Sequence, residues 1–257
     1  MRFEVFTDIF TYHDSPLRAV DARVKLLVAA VAVGLTLLAP SPWFPSLVFA
    51  MCLTALAWLK APLRLVLARF APALWMALML LALKTVLTGA TPMASATVAG
   101  ITVTAYREGW EEGVLLAFRL AGCLSALQLF SMVTPAHEVF RSLLWFRAPA
   151  TWVEVAMLMY RYTFQLFDMA AEMGFAQKAR LGYSNARVTL ASAGTLAGAA
   201  LLRSVDQAAR THEAMRARCY TGRIPFDPMP ELTARQALTV AGLAAALTLL
   251  FFAAGGA

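Results

Sequence analysis

The sequence predicts an all-α integral membrane protein, and its composition leads to this class. Hydrophobic residues make up 60% of the 257 positions, charged residues make up 14%, and the mean hydropathy is +0.66. Soluble domains carry about 25% charged residues, so the composition argues against a water-soluble protein. Disorder requires low hydrophobicity, and the three scattered cysteines do not suit a secreted disulfide scaffold.

Long apolar runs predict about five membrane-spanning helices. A bilayer needs about 20 mainly apolar residues per helix. Four predicted spans belong to an N-terminal domain at 1–133, and the fifth belongs to a C-terminal segment at 233–257. The predicted spans are residues 24–39, 44–59, 71–87, 114–133 and 236–252.

The charges between the spans predict the orientation. Lys60, Arg64 and Arg69 follow the second span without an acid among them, so this loop is expected in the cytoplasm. Residues 88–113 are net acidic and rich in Thr and Gly, which favours the outer side. Residues 1–21 lack the pattern of a signal peptide. We therefore expect a multi-pass membrane protein with a cytoplasmic N-terminus.

Two basic residues, Lys84 and Arg119, fall within predicted spans. Charged side chains inside a membrane often mark a substrate pathway, but near a helix end they also reach the interface as anchors. Both residues lie near predicted outer ends, so the pattern favours anchors.

Residues 134–232 predict a separate domain on the cytoplasmic side, because charges return there among long apolar stretches. A short helix at 134–147, with Thr134 as N-cap and Pro135 at its first helical position, is expected to lie along the membrane surface. Two long helices follow at about 150–180 and 188–219.

A polar stripe runs along these two long helices. Positions spaced by 7, 4, 3 and 4 residues fall on one helical face, which favours an interhelix contact in which Arg161 pairs with acids. Asp206 and Arg210 are spaced for an i,i+4 ion pair. The members of this polar seam are Glu154, Arg161, Asp168, Glu172, Arg203, Asp206 and Arg210, with Gln165 on the same face.

Both long helices end alike, with a basic residue, Ala and Arg followed by a Tyr and a Gly. A basic last turn complements the helix dipole and a Gly caps the helix, which explains one such end. The repetition after 38 positions favours docking onto two copies of a soluble partner, because Arg offers a planar charged fork to carboxylates and carbonyls. We call Ala179-Arg180-Leu181 and Ala217-Arg218-Cys219 the docking ends.

These ends resemble the paired Ala-Arg-Gly signatures of the transmembrane T component of energy-coupling factor (ECF) transporters, in the CbiQ branch that serves cobalt uptake. Residues 17–27, Thr134-Pro135, Pro149 and Tyr160-Arg161-Tyr162 are similar to the family's pattern as well. The chain departs from it in having Leu181 and Cys219 where the signature has Gly, and Ala22 where Pro is usual.

The resemblance implies an energy-coupling role in the bacterial inner membrane, with residues 134–232 as a coupling domain whose two long helices cross. Two ABC ATPase subunits would each accept one docking end, and the long helices would transmit their motion to a CbiM-like substrate-binding membrane subunit. A small CbiN-like membrane subunit is a further implied partner. The chain itself would bind neither ATP nor substrate and would need no cofactor. Consistent with this, the sequence has no phosphate-binding loop and no His/Cys cluster with metal-ligand spacing, and no nucleic-acid partner is expected.

Several alternatives stay open. Nickel or a vitamin could replace cobalt within the same role. A membrane-embedded enzyme could use Asp168 and Glu172 on a lipid phosphate, although the sequence lacks a dense acidic metal motif. A self-sufficient secondary transporter would favour repeated halves with broken helices at mid-membrane, whereas the repeat here lies at helix ends.

Overall fold

The computed structural model describes residues 20–59, 63–89, 91–98, 101–222 and 234–255. Within these residues the chain forms eight helices and one antiparallel hairpin. In chain order these are α1 Ala22–Leu38, α2 Trp43–Trp58, α3 Leu63–Leu87, β1 Pro92–Val98, β2 Ile101–Tyr106, α4 Arg107–Val133, α5 Ala136–Trp145, α6 Ala150–Ala179, α7 Ala186–Ala217 and α8 Ala234–Gly255.

The described residues divide into two compact units. The first unit comprises residues 20–139 and 234–255, and it holds α1 to α4, the hairpin and α8. The second unit comprises residues 140–222, and it holds most of α5 together with the long helices α6 and α7.

Helix α4 is the central helix of the first unit, where it contacts α1, α2 and α3. This close packing is possible because α4 carries three buried glycines, Gly109, Gly113 and Gly122, and small residues let helix backbones approach each other. A Cβ atom at Gly109 would overlap the carbonyl oxygens of Lys84 and Thr88, and one at Gly122 would lie 3.1 Å from the carbonyl oxygen of Pro45.

A buried apolar cluster joins the helices of the first unit. Phe44 and Val48 of α2 are completely enclosed, and Ala126 of α4 packs in the same cluster. The ring of Phe44 meets that of Phe251 in α8 edge to face, with centroids 5.4 Å apart. The aromatic quadrupole favours this geometry, and the contact joins α8 to α2.

The all-α membrane class is confirmed. Three described helices are long and apolar enough to cross a membrane, namely Val66–Leu87, Arg107–Val133 and Ala186–Ala217, and two shorter apolar helices occur at Trp43–Trp58 and Leu238–Ala253. The count of five spans stays a prediction. The antiparallel strands at 92–98 and 101–106 were not expected, since the sequence indicated only a Thr- and Gly-rich outer segment there; their β-branched Thr, Val and Ile residues are typical of strands. The outer segment predicted at 88–113 is also shorter than expected, because α4 already begins at Arg107.

Two local expectations were wrong. Helix α3 begins at Leu63, so Arg64 and Arg69 belong to the helix rather than to a loop; Lys60 lies outside the described residues. Helix α5 begins at Ala136, and the carbonyl of Pro135 accepts the first amide bonds. The Thr134 hydroxyl is buried and has no hydrogen-bond partner among the described residues, so it does not cap α5.

The two basic residues predicted within spans, Lys84 and Arg119, both have structural partners. Arg119 donates from Nε (3.3 Å) and Nη2 (2.7 Å) to the carbonyl oxygen of Ala39, the C-cap residue of α1. Carbonyls in the last turn of a helix lack intrahelical partners, so Arg119 completes the end of α1. Lys84 forms a salt bridge with Glu112 at 2.9 Å. These contacts give both residues a structural role within the first unit, and their role as interface anchors stays a prediction.

Candidate functional site

The two docking ends lie in the second unit, at the C-termini of α6 and α7. Their side chains are exposed, so both ends are open to a partner. The exposed residues are Ala179, Arg180, Leu181, Ala217, Arg218 and Cys219.

The end of α6 is a Schellman motif centred on Leu181. This residue takes the left-handed conformation with φ of 60°. Its amide donates to the carbonyl of Lys178 at 3.1 Å, and the amide of Gly182 donates to the carbonyl of Gln177 at 2.9 Å. These two bonds satisfy carbonyls that the helix leaves unpaired.

The end of α7 repeats the same motif around Cys219, which has φ of 59°. Its amide donates to the carbonyl of Arg216 at 3.0 Å, and the amide of Tyr220 donates to the carbonyl of Met215 at 3.0 Å. The sequence predicted that a Gly beyond each end supplies the cap, and this was wrong. The third residue of each docking end takes the left-handed position, one place before the Gly in α6.

Arg180 and Arg218, which end the two helices, therefore have nearly the same backbone conformation. Arg180 has φ −91° and ψ 17°, and Arg218 has φ −94° and ψ 21°. Gly takes the left-handed conformation at the next position readily, whereas other residues do so at a cost of roughly 1–2 kcal/mol. Leu181 and Cys219 therefore occupy, at the third position of each docking end, a conformation that Gly would adopt more readily.

This cap is not confined to the docking ends. Helix α5 ends in the same way, with Arg147 at φ 62° and the amide of Ala148 bonded to the carbonyl of Leu143 at 3.1 Å. The shared Ala-Arg sequence, and not the cap alone, distinguishes the ends of α6 and α7.

Helices α6 and α7 pack antiparallel, which places the docking ends far apart. Gln177 near the end of α6 contacts Ser192 near the start of α7. Farther along, the hydroxyls of Tyr162 and Thr211 lie 3.0 Å apart. Since α6 rises about 1.5 Å per residue, Arg180 and Arg218 lie roughly 40 Å from each other at opposite ends of the pair.

The predicted polar seam is not the contact between these helices. Arg161, Asp168 and Glu172 are exposed, and no ion pair joins them to each other or to other described residues. On α7, Arg203, Asp206 and Arg210 are exposed as well.

The expected ion pair between Asp206 and Arg210 is also absent from the described structure, and Arg210 instead donates to the Gln207 side chain at 3.2 Å. The interhelix bonds come from Tyr162, Thr211 and Gln177, which the spacing of charges gave no reason to select. Their partners depend on the register of the pair, which the sequence does not reveal.

Glu154 is the exception in the seam, because only 5% of it is exposed. The hydroxyl of Tyr220, the first residue beyond the second docking end, donates to Glu154 Oε2 at 3.4 Å. Partial burial, the negative charge of Glu154 and this hydrogen bond all raise the pKa of Tyr220. The phenol therefore remains a protonated donor at neutral pH.

Much of the apolar surface of the second unit is uncovered by the described residues. Helix α7 contains no buried residue, and Leu190 is 76% exposed. On α6, Trp152 is 76% exposed and Met159 is 64% exposed. Monomers rarely expose large contiguous apolar patches unless lipid or another protein covers them.

The described residues offer no site for a resident metal. No group of three His, Cys, Asp or Glu side chains among them could hold an ion. Asp168 and Glu172, the pair considered for enzyme chemistry, lie on an exposed helix face.

Comparison with known proteins identifies a family for most of the chain. Residues 13–228 match the CbiQ family, described as a cobalt transport protein. The CbiQ cobalt transport protein of Rhodobacter capsulatus is 33% identical over 150 residues, covering 58% of this chain and 59% of that protein. An uncharacterized protein of Methanocaldococcus jannaschii is 35% identical over 125 residues, covering 49% and 47%.

A fused protein is also similar. The putative fused cobalt transport protein CbiMQ of Methanocorpusculum labreanum is 28% identical over 221 residues, which is 81% of this chain and 35% of that protein. The chain thus spans about half the length of the first two relatives and about a third of the fused one.

Proposed function

Because the chain belongs to the CbiQ cobalt transport protein family, we propose that it is the energy-coupling transmembrane subunit of an ECF-type ABC importer. In this role it transmits the ATP-driven motion of two ATPase subunits to a separate substrate-binding membrane subunit. It works in the bacterial inner membrane with its N-terminus in the cytoplasm, and it carries no catalytic activity of its own.

One observation carries the proposal. The two docking ends have the same backbone geometry and present an exposed arginine each, at opposite ends of one antiparallel helix pair. Two copies of one ATPase need two similar docking points that are separated in space. A change in the distance between the ATPases would then act on both ends of the pair.

The membrane partner is supported by the fused relative and by the uncovered apolar surface. A protein named as a fusion of CbiM and CbiQ suggests that a CbiM-like subunit works beside this chain. The exposed apolar residues of α6 and α7 supply a surface that such a membrane subunit can cover. A small CbiN-like subunit belongs to the same proposed assembly.

Cobalt ions are the proposed substrate because the family and the named relatives are cobalt transport proteins. The ion would be held by the substrate-binding subunit, since the described residues here contain no metal-ligating group of three. Nickel, or a vitamin, is the alternative within the same mechanism. No contact in the second unit favours a lipid-phosphate enzyme.

Charge reversal at both arginines tests the proposal. The tagged chain is purified from its native membranes in mild detergent, beside Arg180→Glu/Arg218→Glu, and the co-purifying proteins are identified by mass spectrometry. Reversing a charge at a docked interface typically costs 2 kcal/mol or more, so ATPase affinity should fall roughly 30-fold or more. Arg187→Glu, an exposed arginine seven positions beyond Arg180, is the matched control.

We expect an ABC ATPase and a small membrane protein with the wild type and the control, and loss of the ATPase from the double variant. Retention of the ATPase by the double variant, or its absence from the wild type, would refute the coupling role.

A further inference from the structure

A hydrogen-bond network ties the first docking end to α7. The side chain of Gln177, in the last turn of α6, donates from Nε2 to the carbonyl of Ser192 at 2.9 Å and to Thr195 Oγ1 at 3.1 Å. Its Oε1 accepts the hydroxyl of Tyr183 at 3.0 Å. Its backbone carbonyl accepts the amide of Gly182 at 2.9 Å. Gln177 thus joins the cap, the turn beyond it and the neighbouring helix.

The second docking end has one comparable link. Tyr220 forms part of the cap of α7 through its amide, and its hydroxyl reaches Glu154 near the start of α6 at 3.4 Å. The buried carboxylate of Glu154 gains a donor by this contact, which matters because a buried polar group without a partner is costly.

We propose that Gln177, bonded to Ser192, and Tyr220, bonded to Glu154, are positioning residues that transmit force between the long helices. Each one ties a docking end to the helix that does not carry it. Displacement of Arg180 or Arg218 by a bound ATPase then moves both helices together. This inference rests on the proposed coupling function and adds the residues through which the motion passes.

The physical need for such ties follows from the position of the docking ends. Terminal turns of helices are the least stable parts and open locally at low cost. The Schellman bonds hold each cap only to its own helix. Without a bond to the neighbouring helix, a pull on the terminal arginine would be absorbed by unwinding of the last turn.

The two ties differ in strength. The first comprises two side-chain bonds to α7, of 2.9 and 3.1 Å, supported by a third of 3.0 Å within the turn, whereas the second is a single bond of 3.4 Å. Loss of the Gln177 side chain should therefore affect coupling more than loss of the Tyr220 hydroxyl.

The test compares Gln177→Leu and Tyr220→Phe with the control Tyr106→Phe, in the complete complex with its ATPase and membrane subunits. Tyr106 ends strand β2 in the other unit, and its hydroxyl has no hydrogen bond to any described residue. Three quantities are measured: ATPase affinity, Co²⁺ taken up per ATP hydrolysed in proteoliposomes, and amide hydrogen exchange at residues 192–195 with and without ATP.

We expect ATPase affinity to stay within about twofold of wild type in every variant, because the docking arginines remain. Uptake per ATP should fall roughly 3- to 10-fold in Gln177→Leu and about 2-fold in Tyr220→Phe, as estimated from the bonds lost. The control should behave like the wild type. The ATP-dependent change in exchange at residues 192–195 should disappear in Gln177→Leu.

Unchanged uptake per ATP in Gln177→Leu, with unchanged affinity, would overturn the inference and leave the coupling function intact. A parallel loss of affinity would also overturn it, since the residue would then only shape the docking surface. If the wild type takes up no Co²⁺, the amide hydrogen exchange at residues 192–195 decides. An ATP-dependent change that persists in Gln177→Leu would refute the inference, and a change that disappears there would support it. Failure of the wild type to bind an ATPase would instead refute the proposed function.

Discussion

Replacing Leu181 by Gly should strengthen the C-terminal turn of α6, although it removes a whole side chain. Leu181 has φ of 60° and is 75% exposed, so its side chain contributes little burial while its backbone is strained. The left-handed conformation costs a residue with a Cβ atom roughly 1–2 kcal/mol. Gly loses about 0.5–1 kcal/mol more backbone entropy on folding. At the middle of both ranges, the difference leaves a net stabilisation of about 0.75 kcal/mol for the turn.

Amide hydrogen exchange measures this local free energy directly. The amides of Leu181 and Gly182 are bonded across the cap, so their exchange should slow roughly two- to fivefold in Leu181→Gly, since about 1.4 kcal/mol corresponds to tenfold. Ala176→Gly, at an exposed position inside the same helix, is the matched control. Its exchange should quicken, because Gly weakens a helix interior.

The same substitution applies to the other end. Cys219→Gly should slow exchange of the Tyr220 amide by a similar factor, and the two effects should be independent because the ends lie far apart. Faster exchange in Leu181→Gly, as in Ala176→Gly, would show that the residue is not left-handed and would refute the cap assignment.

Two further predictions concern the first unit. Gly109→Ala should prevent accumulation of folded protein, because the new methyl group would overlap the carbonyl oxygens of Lys84 in α3 and of Thr88 just after it. Gly194→Ala, where a Cβ atom would meet nothing within 4 Å, should be tolerated, and membrane-fraction yield measures both. Arg119→Met should lower the free energy of unfolding in detergent by about 1–3 kcal/mol, because the hydrogen bonds to the Ala39 carbonyl are lost. Lys84→Ala removes a partly exposed pair worth less than about 1 kcal/mol, so a larger loss than with Arg119→Met would contradict this account.

The positions of the helices could be predicted from the sequence where the run of apolar residues alone determines them. The predicted long helices at 150–180 and 188–219 differ from Ala150–Ala179 and Ala186–Ala217 by at most two residues at either end. The length of the apolar run placed the start of α3 too late in the sequence. A helix can extend beyond its apolar run and include charged residues, as α3 includes Arg64 and Arg69.

The docking ends were identifiable because their residues recur, but their geometry was not. Because Gly commonly caps helices, the sequence predicted Gly182 as the left-handed residue. In the structure that residue is Leu181, and Gly182 instead donates its amide hydrogen to the carbonyl of Gln177. The interhelix partners of Gln177 and the bond from Arg119 to Ala39 depend on which helix faces which, and at what register. Such pairings over many residues leave no periodic signal in one sequence.

The antiparallel arrangement of α6 and α7 has a consequence for symmetry. The shift of 38 positions that relates Arg180 to Arg218 also relates Glu154 to Ser192. Tyr220 contacts Glu154, and a Cβ atom on its counterpart Gly182 would meet Ser192 Oγ at 2.8 Å. A two-fold axis perpendicular to the pair would interchange these two contacts. Two copies of one ATPase that bind the docking ends in the same way, as proposed, would also be related by a two-fold rotation, the commonest symmetry of soluble dimers. The repeat within one asymmetric chain would then match the symmetry of an ATPase dimer.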